Sequence, residues 1–447
     1  IIMNYIKYIL WVNIINFCKM FKNFQTNAFF LLVISYFLMM SNLSADSLDE
    51  ILKLTYSSNK QLIFSRTKLA SSKKSISISE SLSGVNFSAS VNGSKTWDMN
   101  QSSQSDNYSS SIIGSYNLFD GNFSKNKVLL EKAFYEIAKI GLVELEQNIL
   151  LQTINAYLNV LRDQKLVELS TNNVAVLERQ FVETSDRFQL GEVTRTDVSQ
   201  SESALAAAKA NLTAKKGALK ISSEMFLSLV GIKPFKLKDI ETNFVLPDNV
   251  GIAKKNALKK HPKILVSNIE EQIASIRIKI AKSQKSPIIN FKSIFSNGYS
   301  SLSGNNNSLT FRLEGSVPIF NSGKIKNEIE QAEINFKAQK ENSLIIKRLV
   351  EHDITLAWSN VLVSKSSIEA RKRQVEALTL AYDGVVVEEK LGTRTTLDVI
   401  NAEQSLLDAR TQLASAEREH AYAKFALLAT TGELNLRKLK IMPPKTK

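Results

Sequence analysis

Residues 116–231 return as residues 317–432 at one constant offset and without a gap: Phe119 as Phe320, Ala156-Tyr157 as Ala357-Trp358, Asn159-Val160 as Asn360-Val361. Leu190-Gly191 returns as Leu391-Gly392, Asp197-Val198 as Asp398-Val399, and Gly231 as Gly432. A duplication this regular means that one large unit is built twice, so function is to be sought in what the two copies make together. The seven prolines fall at 234, 247, 262, 287, 318, 443 and 444, so 122–233 and 319–442 contain none. Those stretches are rich in Ala, Leu, Glu, Lys and Gln, which favour helix. Long uninterrupted helices are therefore expected over 122–189 and 323–390, where some 65 residues at ~1.5 Å each reach roughly 100 Å.

The stripe Leu145, Ile149, Thr153, Ala156, Val160 and its copy Ile346, Val350, Ile354, Ala357, Val361 keep spacings of three and four, which place each set on one helix face. Return helices are expected over 194–231 and 395–432. In the second, Ala402, Leu406, Ala409, Leu413 and Ala416 form a heptad seam whose alanines admit a close partner. Gly191 and Gly392 suit the left-handed residue that ends a helix. Thr194 and Thr395 suit N-caps, with Asp197 and Asp398 three residues on as capping-box acids.

Ahead of each long helix come a helical lead-in (47–82 and 250–285) and two alternating segments. Val85, Phe87, Ala89 and Val91 alternate with Asn86, Ser88, Ser90 and Asn92, and Tyr108–Phe119 runs back; Ile288–Tyr299 and Ser308–Phe320 repeat the pattern. Their length suits tilted membrane-crossing strands of about 9–11 residues. The Ser-, Asn- and Gly-rich stretches 93–107 and 300–307 are expected as polar loops on one side of a barrel. The chain divides accordingly into 1–45, 46–240, 241–432 and a basic tail, 433–447.

Residues 1–45 hold Lys7, Lys19 and Lys22, an apolar run from Ala28 to Met40 and small residues up to Ala45. That pattern is expected of a secretory signal, and its apolar core is short for a membrane helix. The one cysteine, Cys18, lies within it, so the exported part has no disulfide or thiol chemistry. The formal net charge of +14 is spread among acids at helical spacing, without a dense basic cluster carrying aromatics. A solvated helical surface accounts for it better than nucleic-acid binding.

Four strands cannot close a barrel in lipid, and open edges there cost several kcal/mol per unpaired group. Two chains would supply eight strands and three would supply twelve. At this point the chain resembles the TolC-like outer-membrane efflux proteins. The likeness rests on the duplication, on the hairpin ends Asn117-Leu118-Phe119-Asp120-Gly121 and Pro318-Ile319-Phe320-Asn321-Ser322-Gly323, and above all on Leu391-Gly392-Thr393-Arg394-Thr395-Thr396-Leu397-Asp398-Val399. It implies a mainly α fold with a membrane β-barrel part: long hairpins forming an α-barrel, and four strands per chain joining a twelve-stranded barrel in a homotrimer. It also implies an export duct in the cell outer membrane, in contact with its lipid, with the helical barrel in the periplasm. An inner-membrane transporter and a periplasmic adaptor would supply energy and assembly for drug efflux or type I secretion.

No enzyme signature is present, and His261, His352 and His420 lack metal-ligand spacing, so no cofactor is expected. The resemblance implies a periplasmic gate at the hairpin tips. Asp398 would form an acidic ring favouring cations, though capping alone also accounts for it. Asn401 stands where the family pattern has a second acid, and Gln200 in the other copy, so the ring carries less charge. Arg394 would reach Thr196 and Asp197 on a neighbouring hairpin. The aromatic residue often found at the position of Glu389 is absent, which implies a lock that is looser or built differently. A periplasmic coiled-coil adaptor or scaffold would explain the helices but not the paired strand hairpins.

Overall fold

The computed structural model describes residues 47–98, 103–235, 237–240 and 244–442; the expected signal lies outside the described residues. Copy one comprises α1 (Leu48–Ser58), α2 (Lys60–Glu80), β1 (Asn86–Asp98), β2 (Ser103–Phe119), α3 (Phe123–Gln189) and α4 (Arg195–Val230). Copy two comprises α5 (Val250–Lys260), α6 (Pro262–Ser283), β3 (Ile288–Ser300), β4 (Gly304–Ser316), α7 (Lys324–Lys390) and α8 (Thr396–Thr430). Helices α3 and α7 each run 67 residues, as the proline-free stretches imply. Each starts where the chain swings out of a strand through two left-handed residues, Gly121 and Asn122 in copy one and Ser322 and Gly323 in copy two. The Asp120 carboxylate then accepts the Ser124 N–H at 2.9 Å, satisfying a donor that the first helical turn leaves free.

The strands form one antiparallel sheet in the order β1-β2-β3-β4. They extend further than the expected loops allow. β1 runs to Asp98 and β2 begins at Ser103, while only Ser301–Ser303 separate β3 from β4. Ser, Asn and Gly hide the alternation there because they give no hydropathy period, yet the backbone ladder continues through them.

The register separates two chemistries. Ile112 lies opposite Phe295, Tyr116 opposite Phe291, Phe291 opposite Leu313 and Phe295 opposite Leu309, all on one face. Ser90 lies opposite Ser111 and Ser296 opposite Ser308 on the other, with hydroxyl pairs at 2.8 and 2.7 Å. Phe87, Val91, Phe311 and Leu313 on the apolar face are 77%, 84%, 67% and 68% exposed, which is stable against lipid and costly against water.

The largest core sits at the waist of the helices. Ile51 and Leu52 of α1, Ile154, Tyr157 and Val160 of α3, Phe226 of α4, and Phe425 and Leu428 of α8 meet there. The stretch after α8 joins them through Leu434, Leu436 and Ile441, so the described part of the basic tail is packed. Tyr157 is fully buried and its hydroxyl donates to the Lys238 carbonyl at 2.6 Å, which satisfies the one polar atom this ring brings inside. Each large side chain removed from water here contributes about 1.5–3 kcal/mol. Of the two stripes expected from spacing, Ile149, Thr153, Ala156, Val160, Val350 and Ile354 are buried, and the others half-buried.

Candidate functional site: the hairpin tips

Both tips have the same local build. At the end of α3, Gly191 takes φ +77° and the Glu192 N–H reaches back to the Arg187 carbonyl at 2.9 Å. At the end of α7, Gly392 takes φ +76° and the Thr393 N–H reaches the Glu388 carbonyl at 3.0 Å. These bonds satisfy helix-end carbonyls, and glycine adopts the left-handed backbone without a Cβ penalty.

The return helices open with capping boxes, as expected. Thr194 donates its N–H and hydroxyl to Asp197 at 2.9 and 2.7 Å, and the Asp197 N–H returns a bond at 3.3 Å. Thr395 and Asp398 repeat this at 2.9, 2.8 and 3.2 Å. The bonds from Thr194 hold the Asp197 carboxyl below the usual carboxylate range, and those from Thr395 do the same for Asp398. Both therefore carry charge at neutral pH while they cap. Asn401 and Thr196 are exposed.

Within the chain the Arg394 Nε donates to Glu388 of its own hairpin at 3.0 Å. The six-residue separation brings Glu388, in the last turn of α7, within the arm's length of a guanidinium just past the turn. Both side chains are about half exposed, so solvent screens the pair and it holds the tip only weakly.

The contact that joins the two tips is one the spacing did not single out. Arg187, in the last turn of α3, donates from Nη1 to Glu389 of α7 at 2.6 Å, and from Nε to Glu192 at 3.3 Å. The Glu389 side chain is only 6% exposed. An acid in the last turn of a helix faces the negative end of its dipole, so Glu389 is locally misplaced until Arg187 compensates it. A sequence signal existed: Glu389 is the copy-two counterpart of Phe188, a charge where its duplicate has an apolar ring.

Two further polar ties climb the same seam between hairpins. Asn173 of α3 donates to Glu403 of α8 at 3.0 Å, with both residues buried. Burial pushes the Glu403 carboxyl up, and the Asn173 bond offsets this only in part. Above it Arg418 of α8 donates to Asn159 at 2.9 Å and also to Asn155. Steps of fourteen residues along α3, from Asn159 to Asn173 to Arg187, set these ties about 21 Å apart on one helix face. The seam is therefore apolar at the waist and fastened by polar contacts towards the tips.

Comparison with known proteins fits this architecture. The pattern of the outer membrane efflux protein family matches residues 53–231 and 254–433, which is most of the chain and both of its copies. The chain belongs to the outer membrane efflux protein family. This efflux protein is 29% identical over 320 residues to the outer membrane efflux protein BepC of Brucella suis, covering 71% of this chain and 70% of BepC. It is 24% identical over 309 residues to the outer membrane protein TolC of Escherichia coli, covering 65% of this chain and 62% of that protein. Among solved structures, the Campylobacter jejuni CmeC outer membrane channel superposes with a TM-score of 0.76 at 13% identity, over 86% of this chain and 85% of CmeC. VceC of Vibrio cholerae gives 0.73 at 17% identity, over 86% and 96%. The family is one of efflux proteins and not of enzymes, and among the described residues no His, Cys, Asp and Glu group could hold a metal ion.

Proposed function

We propose that this chain is one subunit of a passive export duct: a homotrimer whose twelve strands close a barrel in the outer membrane and whose hairpins continue as a helical tube through the periplasm. The observation that carries this reading is the four-stranded sheet, apolar on one face, polar on the other, and unpaired within the chain along β1 and β4. Such a sheet is stable in lipid only when other copies pair its edges. The outer flank of α7 adds support. Leu349, Leu356 and Val363 are 52%, 51% and 68% exposed along one side of that helix, a stripe suited to a neighbouring hairpin. Energy would come from an inner-membrane transporter reached through a periplasmic adaptor. The mass of the detergent-extracted protein tests this reading: a trimer in the outer-membrane fraction is expected, and a soluble periplasmic monomer would overturn it.

In this duct the hairpin tips form the periplasmic gate. Arg187–Glu389 is its inner clasp, Arg394 and Asp398 lie at its mouth, and Asp197, Thr196 and Asn401 line the approach. Asp398→Ala is expected to weaken block by divalent cations several-fold, since three copies of that carboxylate would concentrate cations at the axis. Arg394→Ser is expected to change basal conductance much less than loss of Arg187, because its pair is exposed. Single-channel recording with and without magnesium separates these outcomes, and unchanged block would leave Asp398 its capping role alone.

Glu403 gives the gate a pH dependence. Its carboxyl titrates above the ordinary glutamate range because burial disfavours the charge. The groups that act on it are Asn173 of α3 and Arg410 on its own helix, both of which lower it, while Glu403 in turn adds to burial in raising the Tyr382 phenol of α7. A raised folded-state value means that the closed seam holds a proton the separated seam releases. Closure is then firmest at low pH and weakens as pH rises through the raised value. Asp197 and Asp398, whose values are lowered, lose their caps only below the usual carboxylate range, so the two windows do not overlap. Glu403→Gln, which mimics the protonated acid, is expected to hold the low-pH conductance across the whole titration. A wild-type pH profile in that variant would remove Glu403 from the gate.

A further inference from the structure

On the polar face of the sheet the described side chains are hydroxyls, amides and a few isoleucines, with three charged exceptions: Lys292, Arg312 and Glu314. Lys292 lies directly opposite Arg312 in the β3–β4 ladder. Two like charges in such a pair repel each other. Glu314, two residues along the same face, resolves this by standing 2.7 Å from the Lys292 Nζ with one oxygen and 3.4 Å from an Arg312 Nη with the other. One carboxylate is thus shared by two cations, and the cluster keeps one net positive charge. On its other side Lys292 faces Ser115 of β2, which offers no second acid.

The position of the cluster matters as much as its charge. β3 begins at Ile288 and β4 ends at Ser316, so the three side chains lie within a few residues of the strand ends that lead into the helices. If twelve strands close with their apolar faces in lipid, the polar faces line the lumen. Three clusters then form a ring where the barrel opens into the helical tube.

We propose that Lys292, Arg312 and Glu314 form the charge selector of the duct, a ring that favours anionic over cationic solutes where the barrel meets the helical tube. The proposal rests on the duct reading above. A ring of fixed side-chain charges biases permeation by sign, and the bias strengthens as salt falls, because the Debye length grows from about 10 Å at 0.1 M to about 30 Å at 0.01 M.

The test is the reversal potential of reconstituted trimers in a planar bilayer under a potassium chloride gradient, at low salt. Glu314→Gln adds one net positive charge per chain and is expected to raise the anion-to-cation permeability ratio. Arg312→Gln and Lys292→Gln each remove one and are expected to lower it. The change is expected to be roughly twofold per charge, the Coulomb effect of a unit charge acting across about 10 Å of water. A purely structural role would move all three variants in the same direction, through assembly or pore size. Opposite shifts therefore support the selector. Channels of wild-type conductance with an unaltered ratio in all three variants overturn it alone, whereas a wild-type preparation that forms trimers but no pore overturns the duct itself.

Discussion

Arg187→Ala is expected to open the proposed periplasmic gate. The substitution leaves the Glu389 carboxylate, 6% exposed, without the guanidinium that stands 2.6 Å from it. Isolating a buried charge costs about 2 kcal/mol or more, and 1.4 kcal/mol is a factor of ten in an equilibrium. The ratio of closed to open seam should fall by roughly thirtyfold in each subunit. Single-channel recordings should show long open dwells where the wild type is mostly shut, with the trimer intact. Glu389→Gln should open the seam less, because an amide is cheaper to leave half-satisfied than a carboxylate. Exchanging the charges, Arg187→Glu with Glu389→Arg, should restore closure. A double exchange no tighter than either single variant would mean that the pair is incidental to the gate.

Gly432→Ala is expected to disrupt the waist far more than Gly231→Ala, although the two glycines occupy the same place in the duplication. Both hold left-handed backbones, at φ +73° and +87°, which cost any other residue about 1–2 kcal/mol. A Cβ on Gly231 would meet nothing within 4 Å. A Cβ on Gly432 would stand 2.9 Å from the His261 Cα and 3.0 Å from the Lys260 carbonyl oxygen, both backbone atoms that cannot rotate away. Overpacking adds about 1–3 kcal/mol to the left-handed strain. It would also disturb the Gly432 carbonyl, which accepts from Gln147 at 2.9 Å. Thermal melts followed by helical circular dichroism should show a small shift for Gly231→Ala and a large one for Gly432→Ala. Equal shifts would show that the contact at His261 yields freely.

His261 shows why the waist tolerates so little change there. It caps α6, its Nδ1 accepting the Lys263 N–H at 3.2 Å. Burial, reinforced by the Lys263 charge, lowers its pKa to about 4. A neutral imidazole is the form that can accept that bond, so the cap is retained throughout the neutral range.

Much of this architecture could be read from the residues. The missing prolines and the two copied stripes gave the long helices almost to the residue, because helix length and periodicity are local properties. The turn glycines and capping threonines were legible for the same reason. The strand ends were not, since Ser, Asn and Gly pair through their backbones without leaving a hydropathy period. Nor was the partner that Arg394 finds on its own hairpin, Glu388, six residues back. The Arg187–Glu389 clasp joins residues 202 apart in sequence, and no periodicity connects them. Asn173–Glu403, 230 apart, escaped in the same way. Contacts between hairpins depend on how two finished helices are set against each other, which only the packed waist fixes.

The change from apolar waist to polar lower seam also has a calorimetric consequence. Unfolding the waist would expose Tyr157, Phe226 and their neighbours and carry a large heat-capacity change. Parting the lower seam rehydrates a guanidinium, two carboxylates and an amide and uncovers Ile400 and part of the small cluster of Leu177, Leu205 and Ala208, which adds far less heat capacity than the waist. Open probability should therefore vary with temperature along a nearly straight van't Hoff line, and added salt should shift it only modestly, because a pair this buried is screened little. A cell carrying such a duct would find its permeability governed by the protons around it, and scarcely by the curvature that limits folded proteins in heat and cold.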